Sequence, residues 1–284
     1  MIYAFALREN WSYLFGGKSG GLDNQGLFEA LLSTQSPLIP RLSWALSVGG
    51  HWGIGAAACL STAWALLLGS GCLLIMGLFF RPAAIVAWLL HLAAAKSGGL
   101  LSYGADNFIT IGLFYLMIAP LPDRFSLDWA IRRRSIADPS LLGFHRHVLQ
   151  LHLCLIYFFS GLTKCLGRGW WDGSNIWRAL TLPPFDVLPI GLVASWKPIL
   201  PMLGISVCLV EMGYAFLIWP PWSRRWILGA VCVMHAGIGL AMGMYLFALI
   251  MIVLNLAAFA TSQTAPDVDL GDVTTGGKAT QQER

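Results

Sequence analysis

Tyr157-Phe-Phe-Ser-Gly-Leu-Thr-Lys164-Cys-Leu-Gly-Arg-Gly-Trp-Trp-Asp-Gly173 runs an apolar helix straight into a lysine before any polar loop begins. An ammonium this close to hydrocarbon costs roughly 3 kcal/mol on insertion scales, so it snorkels, finds a partner or does chemistry. The Trp170-Trp171-Asp172-Gly173 that follows reads as an interfacial aromatic belt and a turn. Lys164 is then placed about one helical turn inside the membrane boundary.

Working outward, composition supplies the membrane. The 284 residues are 57% hydrophobic and only 11% charged, with a mean hydropathy of +0.67. Soluble domains carry roughly 25% charged residues, and a deficit of this size leaves too little polar surface for a water-exposed globule. The net charge of +4 gives no indication of nucleic acid, because basic residues in such a chain mainly set topology. Cys59, Cys72, Cys154, Cys165, Cys208 and Cys232 all fall in or beside apolar runs. They read as packing thiols, with no spacing that suggests a zinc site or a disulfide framework. No cleavable signal peptide is expected, since Arg8-Glu9-Asn10 ends the short apolar run Met1 to Leu7.

Apolar runs measured against about 20 residues per span predict helices near Gly53 to Phe79, Pro82 to Ala95, Asn107 to Leu121, Val148 to Leu166 and Pro198 to Trp219. The run Trp226 to Ala260 is too long for one helix and is split near Gly243 into a tight hairpin, with a single long tilted helix as the alternative. The fold class is therefore all-α, a polytopic transmembrane bundle of about seven spans. Residues 53–260 form the transmembrane domain, and the Thr, Gln, Gly and Asp-rich tail 261–284 is expected to be disordered. Segment 1–52 contains no convincing span. Leu27 to Leu32 reads as a short amphipathic helix at the interface. Either the N-terminus is translocated or a first helix is missing, and the second reading, with Met1 to Leu7 as its remnant, is favoured.

Arg81, the group Arg124, Arg132, Arg133, Arg134 and Arg146, and the pair Arg224-Arg225 recur at alternate loops. Those loops are expected on the cytoplasmic side of a bacterial inner membrane. The Trp-rich loop Gly167 to Lys197 then faces outward, and an outward-facing polar pocket is expected beside it.

Several polar residues fall within the apolar helices. Lys164 shares a face with Tyr157, Ser160 and Gly161; it is either a base in a desolvated pocket or a snorkelling cation paired with Asp172. Glu211 has apolar residues on both sides and requires a partner, either Lys164 or His235. His235 has small neighbours that allow close approach of a ligand or simply of another helix. His91 and His152 read as hydrogen-bonded core histidines. One of Asp106 and Asn107 is expected to cap a helix, leaving the other to face the outer cavity.

The order of a Gly161-x-x-Lys164 helix, a Trp170-Trp171-Asp172-Gly173 loop, the acidic Glu211 and a His235-bearing terminal hairpin resembles the horizontally transferred transmembrane domain superfamily, best known from vitamin K-dependent gamma-glutamyl carboxylases. The resemblance runs from about Glu9 to Ala260 and is most specific at Tyr157 to Gly173 and Val233 to Asn255. It implies that Lys164 is the catalytic base, that His235 lies on the family's His-bearing helix, and that Glu211 is the intramembrane acid. Asp106 stands near a histidine of that family. Thr163 stands where carboxylases carry a second lysine, and the given chain ends in a short tail instead of a large β-rich domain. Both departures point away from propeptide-directed gamma-carboxylation and toward short bacterial members such as a peptide maturation protein.

The expected function is an intramembrane peptide-modifying or maturation enzyme, with Lys164 and His235 catalytic. Asp106, Asn107, Tyr157, Ser160, Trp170, Trp171, Asp172 and Glu211 would bind substrate or cofactor. A reduced quinone is the candidate cofactor, with an aromatic wall from Tyr157, Trp170 and Trp171, and no metal is expected. The alternative is a non-catalytic membrane subunit that stabilises a larger complex. Expected partners are the lipid bilayer and a membrane protein whose helix fills the place of the missing first span.

Overall fold

A computed structural model of the protein describes residues 8, 11, 15, 18–19, 22–23, 38–97, 103–120, 126–132 and 138–260. Leu27 to Leu32, Met1 to Leu7 and the tail 261–284 lie outside the described residues. Apart from a two-residue ladder, β1 (Lys18–Ser19) against β2 (Leu22–Asp23), the described elements are helices.

Seven helices occupy the apolar runs: α2 (Ala56–Met76), α3 (Phe80–Ser97), α4 (Gly104–Ile118), α6 (Pro139–Leu166), α10 (Leu200–Leu217), α11 (Pro221–Met242) and α12 (Tyr245–Phe259). The others are α1 (Leu42–His51), α5 (Leu127–Arg132), α7 (Arg168–Trp171), α8 (Ser174–Thr181) and α9 (Ile190–Ser195). Four of them, α2, α6, α10 and α11, are long and apolar enough to cross a membrane. At 15 residues each, α4 and α12 reach only about 22 Å against a hydrocarbon core of about 30 Å. A count of seven spans therefore does not follow from helix length, although the chain is a membrane-embedded helical protein.

The helix break expected at Gly243 is present. That residue adopts φ +69 and ends α11, so the chain turns back into α12, which packs along it. In α6 the helix begins nine residues before the apolar run does. Asp138 accepts from Ser140 N at 2.9 Å and Pro139 occupies the first turn, a start signal that carries the helix through the polar His145-Arg146-His147. In α4 the start lies at Gly104 instead of Asn107.

Two layers share the bundle. In one, α2, α3 and α4 pack in sequence. Trp11 and Phe15, both helical, are buried against them, their rings edge to face at 4.8 Å and the Trp11 indole donating to the Leu60 carbonyl at 2.9 Å. Part of segment 1–52 thereby packs against the helices that follow it. In the other layer α6 packs on α10, α10 on α11, and α11 on α12, while α12 also meets α4.

Polarity is inverted relative to a soluble protein. Along α6, Leu151, Leu155, Phe159 and Leu166 face outward, while Leu149, Gln150, Leu153 and Tyr157 are buried. Buried polar groups include His91, Asp106, Gln150, Glu211, His235 and Asn255, and the exposed groups include Phe216, Trp226, Val233 and Leu240. An apolar outer surface around polar packing contacts is the arrangement that lipid favours.

Candidate functional site

The site grows from the contact of α6 with α10. Both helices turn a stripe at helical spacing toward each other, Tyr157, Gly161 and Lys164 on α6 against Gly204, Cys208, Glu211 and Tyr214 on α10. Gly161 sets their separation: a Cβ there would lie 2.7 Å from Met212 N and 3.0 Å from Glu211 Cβ. That close approach brings the Lys164 ammonium to 2.6 Å from Glu211 Oε2, with a second bond of 2.5 Å to the Ser160 hydroxyl. Of the two partners expected for Glu211, the fold selects Lys164.

Asp172 does not pair with Lys164. Its carboxylate accepts from Ser174 N at 2.8 Å at the start of α8, and this hydrogen bonding holds it below the usual carboxylate range. Gly173, at φ +79, makes the turn, and a Cβ on it would meet the backbone of Pro201. The loop is thus folded onto α10, with α7 packed over Gly204. Trp170 covers the ammonium at 5.3 Å from its ring centroid, a cation–π contact. Trp171 is half exposed and donates to the Cys165 carbonyl at 2.7 Å. Tyr157 lies about 10 Å along the helix axis from Lys164, stacked on Tyr214 at 4.2 Å. Trp170 thus stands over the ammonium and Trp171 is half exposed, while Tyr157 is buried against Tyr214.

Tyr157 belongs to a second, buried set of hydrogen bonds whose direction can be worked out. Asn255 lies 2.8 Å from the Met251 carbonyl, which only its amide N–H can face. Its other N–H then donates to the Tyr157 hydroxyl at 2.8 Å, and its carbonyl accepts from the Tyr214 hydroxyl at 2.7 Å. The Tyr157 hydroxyl has its other contact at His235 Nε2, 2.8 Å away, the one acceptor for its proton among the described residues, so Tyr157 donates to Nε2. The neutral imidazole consequently carries its proton on Nδ1. Nδ1 is buried and has no hydrogen-bond partner among the described residues. The chain Tyr214, Asn255, Tyr157, His235 thus ends in a free donor beside the ring of Phe247, at 5.5 Å between centroids.

Asn255 and Tyr214 were not singled out from the sequence. The signal was there: Asn255 is the one amide in the apolar stretch Tyr245 to Phe259, and Tyr214 lies three residues after Glu211, on the same face. Removing the shared hydroxyl tests the set. Tyr157→Phe strands one Asn255 N–H and His235 Nε2, and is expected to cost about 2 kcal/mol, read as a lower thermal midpoint in detergent. An unchanged midpoint would rule out the bonding pattern.

Asp106 stands apart. Its Oδ2 accepts from Tyr103 N at 2.9 Å, which caps α4, and its own carbonyl meets His91 Nε2 at 3.2 Å. Phe247 contacts the α4 start at Gly104, Phe108 and His235, so it lies between the two polar regions. Asn107 is exposed. His152, only partly buried, bonds to the Tyr115 hydroxyl at 3.0 Å.

No protein-family model, curated protein or solved structure matches this chain.

Proposed function

We propose that the chain is a membrane-embedded enzyme of the carboxylase-like kind that moves a proton to or from a peptide or a lipophilic substrate, with a reduced quinone as the candidate cofactor. The carrying observation is the Lys164–Glu211 pair at 2.6 Å, packed beside a hydrogen-bond chain that ends on a His235 Nδ1–H with no partner among the described residues. Passing one proton from the ammonium to the carboxylate leaves a neutral amine and a neutral acid with no net change in charge. In a medium that penalises isolated charge this is the accessible route to a lysine lone pair. The amine then takes a proton from a substrate O–H or C–H, and the ammonium formed stabilises the adjacent anion. His235 Nδ1–H is suited to hold a carbonyl or phenolate oxygen.

A second reading is favoured by one observation: the same bonds tie α6, α10, α11 and α12 together, which is what a non-catalytic subunit of a larger complex would use for packing. Mass spectrometry of everything retained on purification in mild detergent separates the two. A quinone that is kept by the parent and lost in Lys164→Ala or His235→Gln, at equal protein abundance, supports the enzyme. Stoichiometric protein partners without a small molecule overturn it in favour of the subunit.

A further inference from the structure

At the opposite end of α6 from Lys164, an apolar crevice of about 630 Å³ opens between α4, α6 and α12. Its walls include Gly112, Leu149, Val253 and Ala257, and its polar residues include His145 and Arg146. The His145 ring meets the Tyr115 carbonyl at 2.9 Å, which ties the first turns of α6 to the last turns of α4. Gln150 donates to the Ala258 carbonyl at 2.7 Å and ties α6 to the last turn of α12. Arg81 and Arg224 belong to this same end, donating to the last carbonyls of α4 and α10, those of Ala119 and of Ile218 and Trp219. Arg146 is about 27 Å along the helix from Lys164, so the crevice is separate from the proposed proton-transfer site.

We propose that this crevice is a lipid site that takes an acyl chain of an anionic phospholipid, with Arg146 meeting the headgroup phosphate. The volume lies within the range of small-ligand pockets. A cylinder 10 Å across that advances 1.5 Å per residue would place only about five residues of a partner helix in it, too few to form a span. A neutral headgroup or a quinone ring makes no use of a guanidinium, whereas a phosphate does. Basic pockets between membrane helices at the arginine-rich face take anionic lipids for this reason. The apolar walls suit the chain, and the cation suits the head.

Native mass spectrometry of the full chain, titrated with phosphatidylglycerol or phosphatidylcholine of equal chain length, tests the site. The parent is expected to keep one phosphatidylglycerol in preference to phosphatidylcholine. Arg146→Gln should reduce that preference about fivefold, and Arg146→Lys should retain most of it. Ala257 is exposed, so Ala257→Phe fills the crevice without crowding the core and should lower occupancy by either lipid. Equal retention of the two lipids by the parent overturns the proposal. So does retention that neither Arg146→Gln nor Ala257→Phe alters, or a co-purifying quinone that occupies the crevice in place of phospholipid.

Discussion

Glu211→Ala is expected to destabilise the bundle by about 3 kcal/mol, the lower end of the cost of stripping one partner from a buried ion pair. The lower end applies because Lys164 keeps 20% of its side-chain exposure while Glu211 keeps 8%. The Ser160 hydroxyl and the face of Trp170 would remain beside the ammonium, but neither carries a compensating charge. The expected reading is a lower thermal midpoint in detergent and reduced abundance in membranes. The double variant Lys164→Met with Glu211→Leu removes both charges at similar volume, and should recover most of the loss. That double variant also bears on function. Recovered stability with loss of the process the protein serves would show that the pair is there for chemistry, and recovery of both would reduce it to packing. A single Glu211→Ala variant as stable as the parent would mean that the pair does not form.

Gly161→Val is expected to cost about 3 kcal/mol, at the upper end of overpacking penalties. The atom that a Cβ would meet first is Met212 N, at 2.7 Å, and backbone cannot move aside as a flexible side chain can. The helices must separate, and with them the Lys164–Glu211 contact. Gly161→Ala gains about 1 kcal/mol of helix propensity but meets the same backbone atom, so a smaller net loss is expected. A valine variant with an unchanged midpoint would show that α6 and α10 do not approach this closely. If stability falls in Gly161→Val and no further loss follows on adding Glu211→Ala, the glycine and the ion pair act as one unit.

What could be read from the chain was of one kind. Helix positions and the buried face of each helix depend on local composition and a 3.6-residue period, and both are properties of a single segment. Seven apolar runs therefore become seven helices, and the turn at Gly243 follows from a residue that adopts positive φ without a Cβ penalty. Glu211 was conspicuous for the same reason, as a carboxylate within a continuous apolar run. Helix length was less well read. The apolar run gave α6 a start at Val148, whereas Asp138 and Pro139 start it earlier, because a helix once capped continues through polar residues that face a polar boundary.

Membrane class, the helical segments and the presence of costly polar groups at Lys164, Glu211 and His235 were thus determined by the sequence alone. Partnership was decided by tertiary structure. Asp172 is near Lys164 in sequence, yet its carboxylate accepts from Ser174 N at the start of α8, and the partner is Glu211, 47 residues away, because Gly161 lets α10 approach. Tyr157, expected beside the tryptophans, instead links Asn255 to His235 from 98 and 78 residues away. Asp106 carries the same kind of charge as Glu211 but serves its own helix. A helical period states which face a side chain occupies, and only the crossing of two helices states what it meets there.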